Sequence, residues 1–188
     1  MPVENWPPAG AEIHFDGDSG AWIQVANTLK ARYYMHTKNY SSAYTAAKNG
    51  ISSYSNNMMT SHGNATADAN LNYQFFALAS RKNDLVTSDF FASLIDPDNS
   101  SNPIVSNYRG HSKTDETARK AYYTINSSTG SSNSGIIEEN EPQNMVTFFE
   151  NKLILAECAA RNGALADGLP YLNDVRAWMN TGGHMNAN

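Results

Sequence analysis

The sequence predicts an all-α protein in which two pairs of antiparallel helices pack together and long irregular loops join them. Three observations lead to this prediction. Apolar residues recur at helical spacing over about residues 20–50 and again over about 146–179. Small residues recur at matching positions in the two stretches. The intervening residues, about 51–145, are rich in Ser, Asn, Gly and Pro, which favour turns.

The first helix pair follows a turn at residues 16–18. Asp18 or Ser19 can cap a helix that ends near Thr37. Its apolar residues lie at spacings of 3, 4 and 7, which is one face of a helix. That face carries Trp22, Val25, Ala26, Leu29, Tyr33 and His36. Asn39 breaks the pattern, and a second helix is expected over about residues 41–49.

The middle of the chain has weaker patterns. Residues 71–76 alternate in a way that fits a helix or a strand. A helix capped by Thr87 or Ser88 is expected to end before Pro97, because the residue before a proline disfavours helix. Residues 97–144 are interpreted as a long loop, and loops of this length in compact domains are functional or partly disordered.

The last helix pair begins with a broad apolar stripe. The stripe is made of Phe148, Phe149, Leu153, Ile154, Ala156, Ala159 and Ala160. A break at residues 162–163 precedes a second helix over Leu165–Met179, with Leu169, Leu172, Val175 and Trp178 on its apolar face. Pro170 is tolerated there if the helix starts at about Gly168. On these faces Trp22 and Trp178 are expected in the core.

Three residues of each pair share the same mutual spacings, and all but Tyr34 are small. The matching sets are Ala31, Tyr34 and Ala43 in the first pair and Ala156, Ala159 and Gly168 in the second. Small side chains let antiparallel helices approach closely, as in tetratricopeptide-like units. The alternative is two ordinary helical hairpins whose alanines coincide.

Composition excludes several classes of protein. The chain has 188 residues, a net charge of −5 and no basic run, which disfavours a nucleic-acid partner. No apolar run is long enough for a membrane span. The single cysteine, Cys158, excludes an internal disulfide, and its alanine neighbours predict a buried, inert thiol. The histidines lack ligand spacing, so neither a metal nor another cofactor is expected.

Several short stretches, in this order, resemble the SusD/RagB family. They are Asp16–Asp18 with Trp22, Val25–Tyr34, Asn39–Ile51, Arg81–Pro97, Phe148–Glu157 and Leu172–Arg176. Asp98 stands where that family usually has arginine. Each stretch is a weak signal alone, but their order and spacing over residues 12–180 are fairly specific.

This resemblance implies a surface glycan-binding lipoprotein of the outer membrane of Bacteroidetes. Such proteins deliver oligosaccharides to a SusC-like TonB-dependent transporter and are not enzymes. Family members are longer and begin with a lipoprotein signal, so the chain is expected to be a central portion, with the lipid anchor in its full-length parent, or else an unusually short relative. The alternative function is a tetratricopeptide-like protein-interaction module without sugar binding.

Sugar binding needs flat apolar rings together with amides or carboxylates for hydroxyl groups. Loop positions are the better candidates, because aromatic residues on helix stripes usually belong to the core. The candidate ligand contacts are Tyr54, Asn56, Asn57, Asn72, Tyr73, Gln74, Tyr108, Arg109 and His111. A glycosidase would need two carboxylates at a set separation. The run Glu138, Glu139 and Glu141 has no partner at such a separation, so it is interpreted as a solvated loop.

Overall fold

The computed structural model describes residues 8, 10–81, 84–95, 117–125 and 135–181. The chain divides into two compact units. The first unit comprises residues 1–60 and 144–181, and the second comprises residues 61–143 and 182–188. The first unit contains both predicted helix pairs, and the second contains most of the predicted loop-rich insert. From its length and helical pattern, the sequence predicts a single α-helical domain, or a fragment of one, over residues 1–188, and this stays a prediction.

The described residues are mostly helical, which confirms the all-α prediction. In chain order the helices are α1 (Ser19–His36), α2 (Tyr40–Ala47), α3 (Leu71–Ala77), α4 (Asp89–Leu94), α5 (Thr117–Tyr123), α6 (Phe148–Arg161) and α7 (Leu165–Asn180). Two short strands of the first unit, β1 (Met58–Met59) and β2 (Asn144–Val146), pair antiparallel. Met58 lies opposite Val146 and Met59 opposite Asn144, with an irregular register between them.

A polar side chain caps the N-terminal end of each helix in the first pair. Asp18 accepts hydrogen bonds from the amides of Gly20 and Ala21, and Asn39 accepts one from the amide of Ser42. Side chains at these positions satisfy amides that a helix leaves unpaired in its first turn. The cap at Asn39 starts α2 one residue earlier than the sequence predicted.

The buried face of α1 differs from the predicted one. Its buried residues are Ala21, Val25, Thr28 and Ala31. Ala26 and His36 are exposed, and 64% of Tyr33 is exposed. The prediction followed the larger apolar side chains, whereas close packing against neighbouring helices selects the face with the small ones.

One core cluster joins α1, α2 and α6. It consists of Ala31, Ala43, Ala46, Ala47, Ile154, Leu155 and Cys158. Cys158 is fully buried, with its Sγ 3.2 Å from the Sδ of Met35. The expectation of a buried cysteine is confirmed. Burial raises the pKa of this thiol, which favours the less reactive protonated form.

The contact between α6 and α7 depends on Gly168. A Cβ at this position would lie 2.7 Å from the carbonyl oxygen of Ala156 and 3.3 Å from the Cβ of Ala159. These are the three small residues that the sequence matched to the first pair. The backbones therefore approach as the tetratricopeptide-like spacing predicted.

The outer side of this pair corrects two predictions. The expected apolar face of α7 is only partly covered, since Leu172, Val175 and Trp178 are half-buried and 51% of Leu169 is accessible. The buried residue of this helix is Gly168. On α6, Leu153 is also 44% exposed. The helix begins at Leu165, not at about Gly168, which puts Pro170 in the second turn. Pro170 is exposed there, so water can bond the carbonyl that lacks a helical amide partner.

Replacing Gly168 with alanine is expected to lower the free energy of unfolding by about 1–3 kcal/mol. Alanine is the better helix former by about 1 kcal/mol, but its Cβ would overlap a backbone carbonyl that cannot rotate away. Urea unfolding followed by circular dichroism measures the change.

The matched control for this substitution is Gly20→Ala, also within a helix. A Cβ at position 20 meets only the flexible side chain of Asp18. Equal stabilities of the two variants would contradict the close approach of α6 and α7.

The second unit is built around α3, α4 and α5. Residues 71–77 are helical, which decides between the two predicted alternatives. Ser88 caps α4 by accepting a hydrogen bond from the amide of Phe91. A small core cluster contains Phe76, Ile125 and Ile137. The prediction that residues 97–144 form one long loop is wrong at α5, where a seven-residue helix packs next to the turn at Gly135–Ile137.

Within the described residues, no helix is both long enough and apolar enough to cross a lipid bilayer.

Candidate functional site

The chain that leaves α2 is held by two buried polar side chains. The hydroxyl of Thr28 donates to the carbonyl of Gln24 at 3.0 Å and accepts from the amide of Ile51 at 2.9 Å. The Nδ2 of Asn151, on α6, donates to the carbonyls of Ala47 and Ile51, both at 3.0 Å. The bonds to the amide and carbonyl of Ile51 satisfy backbone groups that have no helical partner after α2 ends. The carbonyl of Ala47 also accepts from the amide of Gly50 at 2.9 Å.

Gly50 makes this arrangement possible. A Cβ there would overlap the Oδ1 of Asn151 and lie 2.6 Å from the hydroxyl of Thr28. The Oδ1 of Asn151 is buried, with no hydrogen-bond partner among the described residues. The absence of a side chain at position 50 therefore lets α1 and α6 close around the same backbone.

The next residues form a short turn whose position Gln24 sets. The Oε1 of Gln24 accepts hydrogen bonds from the amide of Ser52 at 3.1 Å and the Nδ2 of Asn56 at 3.3 Å. The 3₁₀ turn Tyr54–Asn56 lies between these two contacts. Hydrogen bonds at Ser52 and Asn56, on either side of Tyr54, thus hold the turn that carries this aromatic side chain.

Three half-buried aromatic rings meet at this turn, and we call them the aromatic patch. Its members are Tyr54, Phe149 of α6 and Trp178 of α7. The ring centroids of Phe149 and Trp178 are 4.1 Å apart, those of Tyr54 and Trp178 are 5.2 Å apart, and those of Tyr54 and Phe149 are 5.9 Å apart. The ring planes of Tyr54 and Trp178 are inclined to each other by 31°.

Hydroxyl and amide groups surround the aromatic patch. Ser53 and Ser55 are exposed on either side of Tyr54, and their Oγ atoms are 2.9 Å apart. The hydroxyl of Ser55 also lies 3.4 Å from the Oδ1 of Asn56. Apolar ring faces beside neutral donors and acceptors match the two kinds of surface on a pyranose sugar.

A buried asparagine fixes the helix that carries Phe149. The Oδ1 of Asn57 accepts from the amide of Phe148 at 2.7 Å, and Asn57 is only 5% exposed. Phe148 packs against a second core cluster, Val25, Ile51 and Val146. Asn57 was a predicted ligand contact, and the structure uses its carbonyl oxygen to hold the first turn of α6.

An ion pair links α1 to the same turn of α6. The guanidinium of Arg32 contacts both carboxylate oxygens of Glu150, with Nη2 at 2.6 Å from Oε2. The same nitrogen donates to the carbonyl of Met145 at 3.0 Å. The hydrogen bond to Glu150 raises the pKa of Arg32 above its ordinary value, so the guanidinium stays charged.

A family whose description is "Starch-binding associating with outer membrane" matches residues 4–181, nearly the whole chain. The chain belongs to this SusD-like family. The resemblance predicted from the sequence is therefore confirmed. The description of the family names a binding role. No curated protein and no solved structure matches the chain.

Arg32 and Glu150 connect two of the stretches that carried the SusD-like resemblance. They are 118 residues apart in the chain and in direct contact in the fold. No sequence pattern indicated that these two positions pair with each other.

The predicted ligand residues of this SusD-like chain fall into three groups. Tyr54 and Asn56 lie at the aromatic patch, next to the buried Asn57. Asn72, Tyr73 and Gln74 lie in the first turns of α3, in the second unit. Tyr108, Arg109 and His111 lie outside the described residues.

The α3 group surrounds a fully buried asparagine. Asn70 caps α3, and its Nδ2 donates to the carbonyl of Glu141 at 2.8 Å. The Nδ2 of Asn72 lies 3.4 Å from the carbonyl of Ile136, and the Nε2 of Gln74 donates to the carbonyl of Ala69 at 2.9 Å. Both amides therefore bond the backbone of their own unit.

The run of glutamates lies in this second unit as well. The Oε1 of Glu141 accepts from the hydroxyl of Tyr122 at 2.6 Å. Among the described residues, no group of three or more His, Cys, Asp or Glu side chains is placed to hold a metal ion.

Sequence reasoning missed two members of the aromatic patch. Phe149 and Trp178 lie on apolar stripes and were assigned to the core, yet both are half-buried. Trp178 stands in the last turn of α7, where an aromatic ring can extend past the partner helix. Its position near the end of a helix was the sequence feature that could have indicated an accessible ring.

Proposed function

We propose that this protein captures glycans at the cell surface for uptake through a SusC-like TonB-dependent transporter. Membership of a family described as starch-binding supports the glycan class. The same description supports a place at the outer membrane, and the lipid anchor is proposed for the full-length parent. In this proposal the protein binds sugar and does not cleave it.

The aromatic patch is the observation that carries the proposal. Its three rings expose apolar surface beside hydroxyls and an amide, and the turn that holds Tyr54 is fixed by Gln24. A preorganised surface loses less conformational entropy when a ligand binds. Because the three centroids lie within 6 Å of one another, the patch suits one or two sugar rings of a neutral glycan.

Titration calorimetry of the chain with a starch oligosaccharide and other neutral glycans tests this function. We expect one of these glycans to bind and to change the intrinsic tryptophan fluorescence, since Trp178 would lie under the sugar. The Trp178→Phe variant should keep most of the affinity and lose most of the fluorescence change. If no glycan of the panel binds, the alternative of an interaction module without sugar binding is favoured.

A further inference from the structure

A second concave surface lies between α1 and α2, and we call it the helix-pair groove. Its volume is about 270 Å³, just below the range of about 300–1,000 Å³ that is common for ligand pockets. It is lined by Asn27, Lys30, Tyr34, Ser41, Ser42, Thr45, Ala46 and Asn49. None of these residues belongs to the aromatic patch.

The electrostatics of the groove are set by Lys30. It is the one charged residue in the lining, and the lining contains no carboxylate. Its side chain is exposed, and it forms no ion pair within the described part of the chain. The ammonium lies 6.0 Å from the ring centroid of Tyr34, which keeps it at the groove wall. In a chain of net charge −5, this wall is a local site for an anionic group.

Two neutral side chains of the groove are held in place by bonds to their own helices. The Nδ2 of Asn27 donates to the carbonyl of Ile23 at 3.0 Å, and the hydroxyl of Thr45 donates to the carbonyl of Ser41 at 3.1 Å. An amide with one N–H engaged still has a carbonyl oxygen and a second N–H, and a donating hydroxyl still has acceptor capacity. The groove thus presents ordered donors and acceptors, which sugar hydroxyls require.

The lining disfavours a peptide as the occupant. Peptide grooves anchor apolar side chains in pockets, or add a strand to a sheet edge. Here the apolar lining is restricted to Ala46 and the ring of Tyr34, and α1 and α2 offer no sheet edge.

We infer that the helix-pair groove binds a sugar residue that carries a carboxylate, a uronic acid, with Lys30 on the carboxylate and the amides and hydroxyls on the ring hydroxyls. This inference extends the proposed function, on which it rests for the saccharide class. It places the sugar on a different surface from the aromatic patch, and this sugar carries a negative charge. A chain with both sites recognises acidic as well as neutral glycans.

Titration of the chain with a short oligogalacturonate, and with its methyl ester, tests this inference. The ester keeps the sugar rings and removes the charge, so we expect it to bind at least about tenfold more weakly. Lys30→Gln should lower the affinity for the acid by a similar factor. The control is Lys38→Gln, an exposed lysine just after α1 and outside the groove, which should bind like the unchanged chain.

Amide NMR spectra of the same titration should show shifts in α1 and α2 around Asn27 and Ser42. Equal binding of acid and ester, unchanged affinity in Lys30→Gln, an equal loss in Lys38→Gln, or no binding of the acid would each overturn the inference.

Failure of this site is distinguishable from failure of the aromatic patch. Lys30→Gln should leave the affinity for a neutral starch oligosaccharide unchanged, and Trp178→Ala should leave the affinity for the oligogalacturonate unchanged. Binding of the acid through Lys30 when no neutral glycan binds would retain the groove and reject the patch.

Discussion

Replacing Trp178 with alanine is expected to weaken binding of a neutral glycan by about thirtyfold. Tryptophan anchors at the centre of a binding surface typically contribute about 2 kcal/mol or more, and each 1.4 kcal/mol is a tenfold change in affinity. Trp178 contacts both other rings of the aromatic patch, so its removal also lets Tyr54 and Phe149 rearrange. Titration calorimetry with the best ligand of the neutral panel measures the loss.

Two further variants separate stacking from a general effect of losing an aromatic ring. Trp178→Phe keeps a flat apolar face and should retain most of the affinity. Tyr33→Ala removes a ring that is 64% exposed on α1 and outside the patch, so its affinity should not change. The patch would be excluded as the glycan site if Trp178→Ala, folded by circular dichroism, bound as tightly as the unchanged chain.

Replacing Asn151 with alanine is expected to lower the free energy of unfolding by about 2–5 kcal/mol. The substitution leaves the carbonyl of Ile51 without the donor from Asn151, while the carbonyl of Ala47 keeps only the amide of Gly50 at 2.9 Å. Each unsatisfied buried group costs about 1–3 kcal/mol. A cavity beside Gly50 adds to the loss, because Asn151 is only 2% exposed and packs closely against Gly50. Urea unfolding monitored by circular dichroism gives the value.

The control for this prediction is Asn173→Ala on the exposed side of α7. Asn173 makes one long contact, 3.4 Å from the Nη1 of Arg176, so its loss should change stability by less than about 0.5 kcal/mol. Gly50→Ala tests the same contact from the other side and should be destabilising by about 1–3 kcal/mol. A change at Asn151 no larger than at Asn173 would show that the two carbonyls find other donors.

The contacts of Asn151 and Thr28 around Gly50 also connect the stability of the fold with ligand binding. Asn151 and Thr28 fix Ile51, and Gln24 fixes Ser52 and Asn56. Tyr54 lies in the turn between these points. Loss of Asn151 should therefore weaken glycan binding even in the fraction of molecules that remains folded.

Much of the local structure was predictable from the sequence. Asp18, Asn39 and Ser88 cap helices through short-range bonds, which depend only on neighbouring residues. The fully buried Cys158 followed from its alanine neighbours on an apolar stripe. The small residues at 156, 159 and 168 likewise indicated a close approach of two helices.

Predictions failed where large side chains suggested the wrong face. Periodicity located α1 and α7 but overestimated how deeply their apolar faces are buried, because Tyr33 and Leu169 are apolar and exposed. The helix α5 was missed because its short segment lacks an apolar stripe. It is stabilised by packing within the second unit, and short helices depend on such contacts.

The sequence by itself determined the helical class, the two close-packed helix pairs and the SusD-like family of this protein. These depend on spacings within about 35 residues and on the order of short stretches along the chain. Tertiary structure alone decided that Tyr54, Phe149 and Trp178 meet, that Arg32 pairs with Glu150 and that Asn57 holds α6. Most of these partners lie about 90 or more residues apart in the chain. Phe149 and Trp178 lie in the first turn of α6 and the last turn of α7. Local periodicity carries no information on which distant side chains come into contact.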